Sequence, residues 1–407
     1  MIGNNFKIKN LGPGLLYAGA AVGVSHLVQS TRAGAEYGLL MIVPVVLANL
    51  LKWPFFFAGP YYAAAKGESL IIGYHRLGKL PFYTNLCIAA TTVPGILGAV
   101  TLVTAGIFNV VLGIETDIRL SSALILGIAL FVLIRGRYAI LDRLIKWIIA
   151  VLSLSTVVAV ALLWQAPSHS YWRQIDWGNY QHITFLIALM GWMPAPIDLS
   201  IWQSIWSVEK FKIQPDARKI FKIDFNIGFI ATAFLAVVFL LLGFFSLYNK
   251  ENQLPADAVG FAASLISMYE VALGSTVSLL IKIAALTCMI STVITVLDAY
   301  PRVIAESIVI ARGKGNLHRW NEFVLWVVAT SGMVVILFFK TNMKDLVTLA
   351  TVISFITAPV LAWFNTQLLR QIGFFPRQIF SINKILTSLG LLYLIAFTII
   401  YLFITFR

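Results

Sequence analysis

Long apolar stretches alternate with short polar ones along the whole chain. Eleven of them, over 12–36, 38–64, 82–113, 119–135, 139–165, 182–206, 224–248, 272–309, 320–339, 345–370 and 382–406, are each long enough to cross a hydrocarbon layer of roughly 30 Å as a helix. The pattern predicts an all-α chain with no strand and no soluble domain, lodged in a membrane along 1–407.

Two of these segments cannot remain regular helices. The first holds Gly23-Val24-Ser25-His26 at its centre, and the sixth holds Gly191-Trp192-Met193-Pro194-Ala195-Pro196, with Met190 just before it. Proline removes a backbone donor and clashes with the preceding turn. Irregular backbone at membrane depth is tolerated only where it is buried in protein or lines a cavity. The two breaks fall in the first and sixth segments, equivalent places in two sets of five. That is the signature of a transporter whose substrate site lies between two interrupted helices. It divides the chain into a repeat over 12–165, a second over 182–370, and an added helix over 382–406. The plainer alternative is a pair of kinks without a function.

Composition agrees. Of 407 residues, 59% are hydrophobic and 12% charged, and the mean hydropathy is +0.88; a soluble globular protein is excluded. The net charge of +13 does not require a nucleic-acid partner. Lys7, Lys9, Lys66, Arg76, Arg137, Lys210, Lys212, Arg312 and Arg377 fall in alternate loops. Glu115, Asp117, Asp176, Glu251 and Asp257 fall in the others. Excess Lys and Arg marks the cytoplasmic side, so the N-terminus is expected in the cytoplasm, Arg407 outside, and the chain in the inner membrane. Trp53, Trp172, Trp177 and Trp320 are expected at the interfaces. The polar first residues do not form a cleavable signal peptide. Cys87 and Cys288 sit in apolar segments and read as core. The Arg312-Gly313-Lys314-Gly315 loop lacks phosphate-loop spacing. No catalytic triad, HExxH or CxxC is present, so neither an enzyme nor a bound cofactor is expected.

Charges inside the apolar segments are functional candidates because they are costly there. Lys52 lies near the middle of the second segment. It is a site residue or a structural one paired with Asp198, Asp298 or helix carbonyls. Arg32 can pair with Glu36 one turn away. Lys282 is shallow enough to reach water. Asp198 follows the second break and can cap the half-helix beyond it or take a proton from a substrate.

The breaks and their flanks resemble the Nramp family of divalent-metal transporters. Gly12-Pro13-Gly14 and Ala33-Gly34-Ala35-Glu36-Tyr37-Gly38 bracket the first break as the family's flanks do, and Met193-Pro194 matches the family's Met-Pro-His. The resemblance spans most of the chain. It implies a LeuT-type fold, ten helices in two inverted repeats plus an eleventh, with alternating access and a monomeric state. The departures fall on the metal site. The family's Asp-Pro-Gly-Asn is Gly23, Val24, Ser25 and His26 here. The His of Met-Pro-His is Ala195, and a metal-site Gln is Thr351. Asn85, Thr92 and Gly95 stand where the family carries acidic residues linked to proton movement.

Hard divalent ions need carboxylate oxygens, and at these positions none remains. The expected substrate is therefore a small inorganic ion at Gly23, Val24, Ser25, His26, Met190, Gly191, Met193, Pro194, Ala195 and Thr351. A small anion such as bicarbonate fits a site that has lost an Asp and gained His and Lys, with hydroxyls at Ser25 and Thr351 and the N-termini of the half-helices as donors. Two alternatives stay open. One is a soft or divalent metal (Mn, Fe, Mg, Zn or Cu) held by His26, Met193 and carbonyls. The other is a receptor or scaffold that does not transport.

Overall fold

The computed structural model describes residues 11–135, 138–164, 179–248, 254–339, 342–375 and 381–406. Lys7, Lys9, Arg137, Trp172, Asp176, Trp177, Glu251, Arg377 and Arg407 lie outside the described residues. Among those described every regular element is helical. In lipid each backbone N–H and C=O must find its partner within the protein, and a helix supplies these within its own segment.

Helix α1 (Pro13–Ala21) stops at the first break. The chain resumes in wide π-type turns over Ser25–Ser30 and Ala33–Tyr37. Next come α2 (Ile42–Lys66), a short α3 (Leu70–Leu77), α4 (Lys79–Leu112), α5 (Ile118–Ile134) and α6 (Tyr138–Leu163). The sixth apolar segment divides into α7 (Tyr180–Trp192) and α8 (Leu199–Ile213). After it follow α9 (Phe221–Leu247), α10 (Ala258–Leu273), α11 (Ser275–Arg312), α12 (Leu317–Phe339), α13 (Met343–Gln371) and α14 (Ile382–Thr405). Seven of the described helices are long and apolar enough by themselves to cross a membrane.

The eleven expected segments are present, and two helices were not anticipated. Residues of α3 include His75 and Arg76 and read as a polar loop. Helix α10 abuts the eighth segment in sequence; Gly274, at φ +81°, turns the chain between it and α11.

Helix α4 is the central post, packed by α11, α12, α13 and α10, while α1 rests on α9, α8 and α11. The α1–α9 contact is backbone on backbone. A Cβ placed on Gly14 would stand 1.9 Å from the Asp224 carbonyl, and one on Gly228 would stand 2.0 Å from the Gly14 carbonyl. Lipid tails are as apolar as leucine, so helices in a bilayer associate through such close packing of small residues. The outward faces carry large apolar side chains, among them Phe338, Leu392 and Leu154. That distribution suits a hydrocarbon solvent.

Candidate functional site

Both interruptions open onto one cavity of about 40 Å³. Its walls are the last turn of α1 (Ala20, Ala21), the restart of that segment (Val24, Ser25), the end of α7 and the link beyond it (Trp192, Ala195, Pro196), and the first turns of α8 (Leu199, Trp202). Ile96 and Val100 of α4 and Thr292 and Val296 of α11 close it. Such a volume holds about three waters, or a solute of a few heavy atoms. No charged side chain lines it.

Lys52 has 0% exposure and lies behind the second break. Its ammonium lies within hydrogen-bond distance of four carbonyls: Met190 at 3.1 Å, Gly191 at 2.9 Å, Met193 at 2.9 Å and Ala195 at 3.0 Å. The last carbonyls of a helix have no partner within it and form the negative end of its dipole. Lys52 satisfies those of α7 and two more in the link. Carbonyls are thus the hydrogen-bond partners of Lys52, in place of Asp198 or Asp298. Asp298 pairs with Arg302 on its own helix at 2.9 Å, and Arg302 also reaches Glu209 at 2.8 Å. Asp198 stands at the N-cap of α8 without a side-chain capping bond. It instead accepts the Tyr300 hydroxyl, and its other oxygen is buried without a partner.

His26 points away from the cavity. Its Nε2 donates to the Thr232 carbonyl on α9 at 3.0 Å, and its Nδ1 lies 2.7 Å from the Ser25 hydroxyl. With Nε2 as the donor, Nδ1 faces the Ser25 hydroxyl, so neither ring nitrogen is directed at the cavity. Met193 sulfur accepts from Ser30 at 3.6 Å. Among the described residues no group of three His, Cys, Asp or Glu side chains could hold a metal. Two of the hydroxyls expected as donors to a substrate are spent locally. Ser25 donates to the Ala21 carbonyl at 2.6 Å, and Thr351 donates within α13 to Val347 and Thr348. Thr351 meets the break through its backbone: a Cβ on Gly191 would stand 2.5 Å from its carbonyl. Gly23 packs against Thr292, whose side chain would lie 2.9 Å from a Cβ there. Asn85 and Thr92 are buried in α4, with Thr92 bonded to Ile88.

Arg32 pairs with Glu36 at 2.9 Å as expected, and Lys282, expected to reach water, pairs with Glu270 at 3.1 Å. Trp53 adjoins Lys52 in mid-helix and donates to Asn226 at 2.9 Å. Several contacts around the site were not anticipated from the sequence. Cys288 donates to the Val22 carbonyl at 3.2 Å at the end of α1. Trp192 donates to Ser354 at 3.0 Å. Gln29 and Gln203, fully buried, have neither amide atom partnered. Polar amides inside apolar segments are the sequence signal that points to those last two.

No protein-family model matches the chain. Over 404 residues it is 34% identical to an uncharacterized protein, PM0681, of Pasteurella multocida (strain Pm70), covering 97% of this chain and 92% of that one. Among solved structures it is similar to a mutant form of a manganese transporter of Eremococcus coleocola, with TM-score 0.60 at 15% identity over 96% of this chain and 93% of that one. It is similar to Mhp1, a nucleobase-cation-symport-1 family transporter in a closed conformation with bromovinylhydantoin bound: TM-score 0.63, 12% identity, 98% of this chain and 95% of that one. It is also similar to MhsT in complex with L-phenylalanine: TM-score 0.65, 13% identity, 96% and 97%. At such identities the likeness establishes the fold, an all-α LeuT-type membrane architecture of many spans.

Proposed function

Because this chain belongs to the family of the Pasteurella multocida protein and has the LeuT-type fold, we propose that it is an Nramp-related secondary transporter working by alternating access, with the cavity between its two broken segments as the substrate site. The proposal includes the two repeats over 12–165 and 182–370, a monomer in the inner membrane, and an N-terminus in the cytoplasm.

The substrate class we propose is a small oxyanion, with bicarbonate as the first candidate. One observation carries this: four acceptor oxygens at the second break and two at the first already have partners. Lys52 holds four carbonyls of the second break, while Ser25 and Cys288 take those of Ala21 and Val22 at the first. A cation entering the cavity would find few free oxygens. The restart of the first broken segment at Val24-Ser25 borders the same space, whereas at α8 the N–H groups of Leu199, Ser200 and Ile201 already donate to the Pro196, Ile197 and Asp198 carbonyls. The restart at Val24-Ser25 favours an anion by about 0.5–1 kcal/mol. The manganese transporter it resembles supports the metal alternative by fold alone. Here the nitrogens of His26 and the sulfur of Met193 are engaged with Thr232, Ser25 and Ser30.

Paired fluxes in proteoliposomes test this reading. Bicarbonate uptake is followed by internal alkalinisation and Mn²⁺ uptake by a metal-sensitive dye. We expect the first without the second. Saturable Mn²⁺ uptake would return the site to a metal.

A further inference from the structure

The oxygen cage around Lys52 has the form of a cation site already filled by the protein itself. Four carbonyls converge on Nζ at 2.9–3.1 Å, while an ammonium has only three protons to donate. The group therefore acts as a compact charge among oxygens as well as a donor. In transporters built on broken helices, unwound carbonyls and half-helix C-termini are where coupling cations bind. Here the same kind of backbone, the end of α7 and its link, is held by a side chain from α2. The cage is too wide for Mg²⁺, which needs oxygens at about 2.0–2.1 Å, and for Ca²⁺, at about 2.3–2.6 Å. It suits an ammonium or a large monovalent ion.

We propose that Lys52 is a tethered substitute for a coupling cation. It supplies, from within the chain, the positive charge that would otherwise have to bind from solution at the second break. Transport by this protein then needs neither Na⁺ nor a divalent metal. The charge has a distant counterpart in Asp198, which no direct ion pair joins to it. Tyr300 holds Asp198 at the start of α8. The two residues thus put a positive group at the C-terminal end of α7 and a negative one at the N-terminal end of α8, each opposing the dipole it meets. The link between the half-helices is clamped at both ends by side chains of the chain itself. The inference rests on the proposed transport role for its functional consequence, but its structural core does not depend on which substrate is carried.

The test uses the whole purified protein in detergent, without substrate, and reads thermal stability in choline, Na⁺, K⁺ and methylammonium chlorides at one ionic strength. Wild type is expected to melt at the same temperature in all four. Lys52→Ala vacates the cage. It is expected to melt several degrees lower in choline and to regain much of the loss, saturably, in K⁺ or methylammonium. Lys52→Met fills the space without charge and is expected to be lowered and indifferent to the salt. A saturable rise of wild type with Na⁺ or K⁺ would overturn the inference, as would a Lys52→Ala variant that ignores every cation. Should Lys52→Ala not fold, uptake by wild type in liposomes with choline replacing all Na⁺ decides it: undiminished flux supports the tethered charge, and abolished flux refutes it. An absence of bicarbonate flux would defeat the substrate assignment while leaving the melting results to stand or fall alone.

Discussion

Lys344, at the start of α13, sets its ammonium 2.8 Å from the carboxylate of Glu36 in the last turn of the first broken segment. The other Glu36 oxygen holds Arg32 at 2.9 Å, and Lys344 also donates to the Leu254 carbonyl at 2.6 Å. This clasp ties the first span to α13 and to the loop before α10 at one end of the bundle. Glu36→Gln leaves two cations facing a neutral amide. The group is partly exposed, so the expected loss of stability is small, about 1 kcal/mol. The larger effect is expected in opening. A cysteine placed at Ser25, on the cavity wall, is expected to react faster with an impermeant thiol reagent in the Glu36→Gln background. Equal rates would remove the clasp from gating.

At the opposite end, Asp224 of α9 accepts the backbone N–H groups of Gly12 at 2.9 Å and Gly14 at 2.7 Å. It caps α1 from a neighbouring helix. Charge-assisted bonds of this kind contribute about 1.5–3 kcal/mol each. Asp224→Ala is expected to lower the melting temperature more than Asp224→Asn, which keeps one acceptor oxygen. Equal melting of both variants and wild type would show that α1 does not depend on this cap.

Gly14→Ala is expected to be severely destabilising, because the new methyl would fall 1.9 Å from the backbone oxygen of Asp224 and neither backbone can give way. Gly127→Ala in α5 has nothing within 4 Å of its Cβ. It is expected to match wild type in yield and melting temperature. The pair separates close backbone packing from the general effect of replacing a helical glycine.

Gly23→Asp introduces the acidic residue that the Nramp motif has at the position Gly23 resembles, yet no Mn²⁺ response is expected from it. The Cβ would press on Thr292 at 2.9 Å, and Ala195 still stands where that family has a His. Mn²⁺ titration of the variant in a thermal-shift assay checks this. Stabilisation by micromolar Mn²⁺ would mean that a single carboxylate suffices to recreate the metal site.

The spans were legible in the sequence because apolar runs of bilayer length seldom occur outside a membrane. The two breaks were legible because Gly and Pro cluster at their centres. The Arg32–Glu36 pair was legible because one helical turn brings the two side chains together. Helices α3 and α10 were not. The first carries His75 and Arg76 and so resembles a loop, and the second merges in hydropathy with the segment that follows it. Lys52 stood out as a buried charge, but its ligands did not. They are backbone carbonyls about 140 residues away, and a carbonyl has no letter in a sequence.

His26 shows the same division. Its position in a broken segment marked it as a ligand, while its ring is turned to Thr232 on α9, a contact that local pattern does not encode. By itself, the sequence determined the membrane class, the spans and the two interruptions, because hydropathy, proline and side-chain charge are properties of single residues and short runs. Only the tertiary structure decided which donors and acceptors face the cavity and which are already spent. That depends on how α2, α9 and α11 pack around the breaks, and close packing lets one partner satisfy a buried polar group and excludes the others.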